Sequence, residues 1–264
     1  MKAGEALGAL EPREARLLLA QATGFSEASV LAHPERELPA AAAATFRECA
    51  ARRARGEPIA YILGKKEFYG LPLTVNPAVL IPRPETELLV ELALAREPST
   101  VLDLGTGSGA IALALKRHLP AARVIAVERS AAALAVAQRN ALKLGLEVEF
   151  RHGLWFEPVA GERFDLVVSN PPYVAMGDAH LGQGDVRFEP RSALVAGADG
   201  LESIRAIVRD ASRHLNPGGR LLLEHGLGQD AEVRKLLRAA GLEDIATWPD
   251  LAGIARVSGG GLES

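Results

Sequence analysis

The sequence predicts an α/β protein. A mostly parallel sheet with helices on both faces ends in an antiparallel C-terminal strand, and a small helical-bundle domain precedes it. Three observations carry this expectation. From Thr100 onward, short apolar runs alternate with helical stretches, as parallel strands joined by crossover helices require. Before that, residues 1–64 read as helices alone. Near the C-terminus, Leu242–Trp248 and Gly253–Val257 lie too close together for a helical crossover, so they should pair antiparallel through Pro249-Asp250.

The helical region is punctuated by prolines and glycines. Pro12 opens a helix to about Ala22, which Gly24 stops. Ser26 caps a short helix to Leu31, Pro39 opens an Ala-rich helix to about Arg55, and Pro58–Leu63 forms a fourth ended by Gly64. His33 reads as a surface histidine. Arg47, Arg52, Arg53, Arg55, Lys65 and Lys66 outnumber the nearby acids, which suits either a solvated helix face or a docking surface for an acidic partner. Residues 65–82 form a linker, with Phe68 to Val75 read as a hairpin around Gly70-Leu71-Pro72. Pro84 then starts a helix whose apolar face includes Leu88, Leu89, Leu92 and Leu94. Arg83, held between two prolines, reads either as linker chemistry or as part of an active-site rim.

The predicted strands of the third region, residues 83–264, are Thr100–Leu104, Arg123–Val127, Glu147–Arg151, Phe164–Ser169 and Gly219–His225. The helices between them are Gly109–Leu119, Ser130–Leu144 and Leu201–Leu215, and Gln229–Ala239 follows. Asn216-Pro217-Gly218-Gly219 reads as a turn before the fifth strand, and Ser258–Ser264 as a tail without a role.

Composition narrows the function classes. With 264 residues and a formal net charge of −3, the composition argues against a protein held to nucleic acid mainly by a broad basic face, though not against a local patch. The single Cys49 allows no internal disulfide framework. Met1–Leu10 lacks a signal-peptide pattern and no apolar run is long enough to span a bilayer, so the expectation is a cytoplasmic protein.

Two stretches carry chemistry. Val101 to Ala110 is a strand, a Gly-rich turn and a helix start. Gly105, Gly107 and Gly109 let backbone approach a ligand, and the pattern also fits a dinucleotide fingerprint. Asp103, two residues before the first glycine, suits the ammonium of a bound amino acid, and the third glycine leaves room for a thioether chain. Both point to S-adenosylmethionine. Glu128, at the end of the second strand, suits ribose hydroxyls of either ligand. Trp155 and Phe156 are candidates for an apolar wall beside adenine, or for core aromatics.

The second stretch is Asn170-Pro171-Pro172-Tyr173, after the fourth strand. Each proline fixes its own φ and extends the residue before it, so the chain leaves the sheet along one stiff path. A polar amide and a ring on a rigid loop at the carboxyl end of a strand sit where open α/β sheets bind ligands. Together with the Gly-rich turn, this loop resembles that of amino-group methyltransferases, whose acceptor is a planar –NH2. Such a nitrogen is a poor nucleophile. It is helped by accepting both of its hydrogens, here through the Asn170 side-chain oxygen and a backbone carbonyl near Pro171, with Tyr173 stacked on the acceptor.

Further segments are more specific. Glu57–Gly64, Phe68-Tyr69-Gly70-Leu71, Leu80–Glu87, Asp103–Ile111, Val168–Tyr173, Asp185–Pro190, Leu222–Gly226 and Asp250–Gly253 occur in the order and spacing of the HemK/PrmC family, the peptide chain release factor glutamine methyltransferases. The chain resembles that family over about residues 55–257. The resemblance implies a Rossmann-like class I S-adenosylmethionine methyltransferase domain over residues 83–264, with residues 1–64 helping to grip the substrate. It implies methylation of the glutamine amide in the Gly-Gly-Gln loop of class 1 release factors, with S-adenosylhomocysteine as product. The cofactor set it carries over is Gly105, Thr106, Gly107, Ser108, Gly109, Glu128, Trp155 and Asn170, to which the residue reading adds Asp103. Asn170, Pro171 and Tyr173 are the expected catalytic residues, and Pro172 and Arg83 join them in holding substrate. No metal, membrane or direct nucleic-acid contact is expected, and the chain is expected to act as a monomer. Rival readings are a DNA or RNA amino methyltransferase and a non-catalytic cofactor-binding module. The chain departs from the family at Leu154, where an acid often accepts from the exocyclic amine of adenine. Met176–Gly184 is a candidate lid, with Arg187, Phe188 and Glu189 beyond it, while Glu224 and His225 are expected to orient or pack.

Overall fold

The computed structural model describes residues 1–8 and 10–263. They divide into two units, Met1–Lys65 with Gly182–Phe188, and Lys66–Leu181 with 189–263. In the first unit lie α1 (Ala3–Leu7), α2 (Pro12–Thr23), α3 (Glu27–Ala32), α4 (Ala40–Ala54) and α5 (Ile59–Leu63). Sequence reasoning missed α1, whose single turn is too short to show a period. The caps are local. Glu11 accepts from the amides of Arg13 and Glu14, Ser26 accepts from Ser29, and Gly24 closes α2 in the left-handed region. Leu18, Leu19, Val30, Phe46 and Ile62 form this unit's core.

Two side chains of the Arg-rich stretch, Arg52 and Arg53, are engaged within this unit. Arg52 grips the Glu57 carboxylate at 2.8 and 2.5 Å. Arg53 reaches Glu14 at 2.9 Å and Asp185 at 3.0 Å, and Arg187 donates to the Arg55 carbonyl at 3.0 Å. Gly56 has φ +89°, and the Arg187 guanidinium occupies the space its Cβ would need.

The second unit opens with a hairpin of β1 (Lys65–Phe68) and β2 (Leu71–Thr74). Its turn is Tyr69-Gly70, both at positive φ as a two-residue hairpin demands, so Leu71 and Pro72 belong to the second strand rather than to the turn. Then come α6 (Glu87–Leu94), β3 (Thr100–Leu104), α7 (Ala110–His118), β4 (Arg123–Glu128), α8 (Ala131–Leu144), β5 (Glu149–His152) and β6 (Phe164–Ser169). Last are α9 (Glu202–Ala211), β7 (Leu215–Glu224), α10 (Asp230–Ala239), β8 (Glu243–Pro249) and β9 (Ala255–Gly261).

The sheet has seven strands in the order β5-β4-β3-β6-β7-β9-β8. All neighbours are parallel except β9, which runs antiparallel between β7 and β8. Strand order reverses between β3 and β6, the position at which open α/β sheets bind ligands. Leu104 pairs with Ser169, so both strands end level, and the Ser169 hydroxyl donates to the Leu104 carbonyl at 2.6 Å.

Three expectations change. Asn216 to Gly219 is a bulge inside β7 rather than a turn before it, because Phe164 pairs with Leu215 while Leu166 pairs with Arg220. The helix read to Leu215 ends at Ala211, and a single 3-10 turn follows. Of the residues read as a tail, Ser258–Gly261 continue β9, and Ser264 lies outside the described residues; Gly259 is required there, since its Cβ would stand 2.5 Å from the Leu221 carbonyl oxygen.

Asn140 ties three elements together. Fully buried in α8, it accepts from Thr74 N at 2.8 Å and donates to the carbonyls of Thr74 and Ser108 at 3.0 and 2.9 Å. It thus joins the hairpin and the Gly-rich loop to one helix. Asn140→Ala leaves three buried backbone groups unpaired and is expected to cost roughly 2–4 kcal/mol, read from denaturant unfolding.

Candidate active site

The two loops that leave the level ends of β3 and β6 border a cleft. Its walls include Val79, Leu80, Gly105, Gly107, Glu128, Leu154, Trp155, Asn170 and Pro172. Gly105 and Gly107 have φ +73° and +58°, and the Trp155 ring lies over Gly105, 3.5 Å from where a Cβ would sit. A side chain at either glycine would enter the cleft.

Glu128 is fixed by two backbone amides. Gly107 N donates to Oε2 at 3.0 Å and Ser130 N to Oε1 at 2.8 Å. Each oxygen keeps a lone pair for a further donor, as a ribose diol would offer. Asp103 is fully buried behind the loop and is not in the cleft wall. Its Oδ2 accepts from the Thr106 hydroxyl at 2.6 Å and from Ala112 N at 3.3 Å, while Oδ1 has no partner. Burial pushes its pKa up to about 7, against the lowering effect of those two donors. An orphaned buried carboxylate oxygen behind a glycine cradle fits a ligand that carries a cation. The donor set therefore fits S-adenosylmethionine.

Other predicted residues serve the loop itself. Thr106 and Ser108 are buried, the first holding Asp103 and the second offering its carbonyl to Asn140. Gly109 faces Leu113 and Ala137, so its missing side chain lets α7 and α8 pack closely. Phe156 stacks on His214 at 4.4 Å, away from the cleft, and is a core aromatic. Leu154 lies in the cleft wall, 38% exposed.

On the acceptor side, the Asn170 Nδ2 donates to the Thr86 hydroxyl at 3.0 Å, leaving its Oδ1 for another donor. Pro171 is buried and Pro172 borders the cleft. Tyr173 is half-buried: its hydroxyl reaches Glu224 Oε1 at 3.4 Å and its carbonyl accepts from Gln229 at 3.0 Å. Desolvation raises its pKa, helped by the Glu224 charge, so the phenol stays neutral. Arg83 pairs with the buried Glu189 at 2.5 Å, and Ile81 N donates to the same carboxylate at 3.2 Å. Arg83 therefore braces the segment ahead of Pro190, a cleft residue, with its guanidinium already engaged. The candidate lid folds into two 3-10 turns, Ala179–Gly182 and Gly184–Phe188.

Sequence reasoning assigned no role to Thr86, Asn140 or Glu189. Thr86 left one sign, a hydroxyl in a capping position. Glu189 left only its place in the Asp185–Pro190 segment and Asn140 left no sign, since both act on residues distant in the chain. His225 donates to or accepts from Ser258 at 2.9 Å, and burial lowers its pKa, so it packs as a neutral ring. Among the described residues no cluster of His, Cys, Asp or Glu is suited to a metal, and no helix is long and apolar enough to cross a membrane.

Two family models match, PrmC N-terminal domain over residues 4–64 and Methyltransferase small domain over residues 84–185. The chain is 50% identical over 256 residues to the release factor glutamine methyltransferase of Xylella fastidiosa strain Temecula1, covering 95% of this chain and 93% of that one. It is 52% identical over 249 residues to the Pseudomonas aeruginosa protein of the same description, covering 93% and 90%. Among solved structures, the T. thermophilus 16S rRNA N2 G1207 methyltransferase, in complex with AdoMet and guanosine, superposes with a TM-score of 0.57 at 25% identity, over 75% of this chain and 50% of that one.

Two outcomes follow from the cofactor side. Leu154→Asp is expected to tighten S-adenosylmethionine binding modestly in calorimetry; an unchanged affinity rules out a missing adenine contact there. Asp103 has a folded pKa above its unfolded value, so its contribution to stability is present below about 4 and is lost as pH rises through about 7. In the ligand-free protein, Asp103→Asn is therefore expected to flatten the fall of the unfolding midpoint between pH ~5 and ~7.5.

Proposed function

The chain belongs to the release factor glutamine methyltransferase family, and we propose that its cleft performs that family's reaction. The methyl group of S-adenosylmethionine is transferred to the side-chain amide nitrogen of the glutamine in the Gly-Gly-Gln loop of a class 1 release factor. S-adenosylmethionine would supply a methyl group on a positively charged sulfur; the sulfur–carbon bond breaks as the nitrogen–carbon bond forms, the sulfur departs as the uncharged thioether of S-adenosylhomocysteine, and the methylated nitrogen releases one of its two protons to solvent.

The chain's own residues hold and orient. Asp103 offers a carboxylate behind the glycine turn, and Glu128 presents two anchored oxygens. Gly105 and Gly107 open the wall, with Trp155 across from them. Thr106, Ser108 and Gly109 keep the turn in shape. A primary amide is planar and its nitrogen lone pair is delocalised into the carbonyl. Asn170 Oδ1 accepts one N–H of this amide and the backbone carbonyl near Pro171 accepts the other, which fixes the nitrogen and leaves its out-of-plane face toward the methyl. Tyr173 supplies a flat surface for the amide, and Pro171 and Pro172 keep the loop from yielding. Arg83, braced on Glu189, supports the rim. The rate gain comes from alignment and from acceptors placed where positive charge builds on nitrogen.

The observation that carries this reading is the level ending of β3 and β6, which sets the Gly-rich turn beside Asn170 at one cleft. Residues 1–64 are proposed to help grip the release factor, with the methyltransferase domain in residues 83–264 and the hairpin between. The enzyme is proposed to act as a monomer in the cytoplasm, where its substrate works, and without direct contact to nucleic acid.

Incubation with S-adenosylmethionine and either a release factor or duplex DNA tests the substrate class. Methyl label is expected on the Gly-Gly-Gln peptide, and label on DNA alone overturns the reading. Asn170→Ala is expected to lower kcat on the release factor by on the order of 100-fold; an unchanged kcat rules out the role given to its side-chain oxygen.

A further inference from the structure

Gln229 ends the loop after β7 and stands at the cap of α10, a position that Ser, Thr, Asp or Asn usually fills. Its side chain makes no capping bond. It reaches instead to two loops at the carboxyl end of the sheet. Gly226 N donates to Oε1 at 2.8 Å, and Nε2 donates to the Tyr173 carbonyl at 3.0 Å. These partners settle which way round the amide sits. Reversed, –NH2 would face the Gly226 N–H and oxygen would face the Tyr173 carbonyl, so both contacts would be repulsive.

The Tyr173 carbonyl belongs to the same planar peptide as the Val174 N–H. That N–H donates to the Leu194 carbonyl at 2.8 Å. The peptide is thus held at both of its polar ends, by Gln229 on one side and by Leu194 on the other. Pro171 and Pro172 stiffen the approach to Tyr173 but fix only their own φ. The two torsions of Tyr173 are set by where the next peptide is pinned, and the ring lies where that backbone puts it. Gly226 runs along the ring, since a Cβ there would stand 3.3 Å from Tyr173 Cδ2, and the hydroxyl meets Glu224 Oε1 at 3.4 Å. Room is kept for the Gln229 bond as well. At Gly200, with φ +77°, a Cβ would collide with the Tyr173 carbonyl oxygen and with Gln229 Nε2.

We infer that Gln229 is a positioning residue for methyl transfer, which sets the Tyr173 ring by holding the Tyr173 carbonyl. The inference rests on the methyltransferase reading given above and deepens it. In that reading the acceptor amide lies on the Tyr173 ring, and transfer needs its nitrogen in line with the breaking sulfur–carbon bond. A misplacement of about 1 Å at a reacting group can cost on the order of 100-fold in rate. Both ends of the Gln229 amide are engaged by backbone, so its effect on the reaction runs through Tyr173. The same side chain joins the loop after β6 to the loop after β7, and these strands are neighbours in the sheet. The acceptor loop is therefore held from the side away from β3 by a single amide.

The test is kinetics on a release factor with Gln229→Glu, Gln229→Met and Tyr173→Ala, with S-adenosylmethionine affinity from calorimetry and unfolding midpoints measured alongside. Gln229→Glu keeps an acceptor for Gly226 N and sets an oxygen against the Tyr173 carbonyl. Gln229→Met removes both bonds without adding charge, and it decides the matter should the charge of the other variant prevent folding. Each is expected to lower kcat about 10–100-fold while S-adenosylmethionine affinity changes less than about threefold. Because the effect runs through the ring, combining either change with Tyr173→Ala is expected to lower kcat little beyond Tyr173→Ala alone. Wild-type kcat in either folded variant, a loss of cofactor affinity that matches the loss of rate, or an undiminished effect in the Tyr173→Ala background overturns the inference. Absence of methyl transfer by the wild-type protein overturns the functional reading instead.

Discussion

The site depends on one pairing. β3 and β6 are far apart in sequence, yet they are neighbours in the sheet and end in register, Leu104 opposite Ser169. That register sets two short loops of opposite character side by side. One is glycine-rich and open; the other is held stiff by two prolines. A shift of one residue would turn each strand's side chains to the other face, and the cores on both faces forbid it. Tight packing on both sides of the sheet is what makes the separation between cofactor wall and acceptor loop a fixed quantity.

Two carboxylates carry most of the electrostatic tension. Asp103 and Glu224 are both buried, both raised to about 7 by desolvation, and each has one oxygen without a partner. Unpaired buried charge is destabilising, so these groups are not there for the stability of the empty protein. Asp103 lies behind the cofactor wall and Glu224 behind the acceptor loop. Asp103 accepts from the Thr106 hydroxyl at 2.6 Å, and Glu224 meets the Tyr173 hydroxyl at 3.4 Å.

The supports around this pair are side chains that bond to backbone. Asn140 holds Thr74 and Ser108, Glu189 holds Ile81 and Arg83, and Gln229 holds Tyr173 and Gly226. Each joins a loop that has few hydrogen bonds of its own to a helix or to another loop. Rigid placement of irregular backbone needs such partners, because loops have no ladder to fix them.

Much of this was legible in the chain. Alternating strands and helices, the prolines and glycines that bound them, and the two loop motifs follow from local chemistry and pointed to the fold class and the cofactor, while the planar amine acceptor came with the resemblance of the Asn170 loop to amino-group methyltransferases. The resemblance of Ile81-Pro82-Arg83-Pro84 and Arg187-Phe188-Glu189-Pro190 to one family pointed to glutamine. What local pattern could not show was which distant groups meet. A threonine in a capping position looks like a cap until Asn170 is found donating to it. An asparagine inside an amphipathic helix gives no sign of the three backbone groups it holds, and a glycine-rich end reads as a tail until Leu221 is seen to press against Gly259. The sequence by itself determined the elements and the two loop motifs, because those depend on neighbours along the chain. Only the tertiary structure decided how their side chains are oriented, because that depends on hydrogen-bond partners brought together by the register of the sheet.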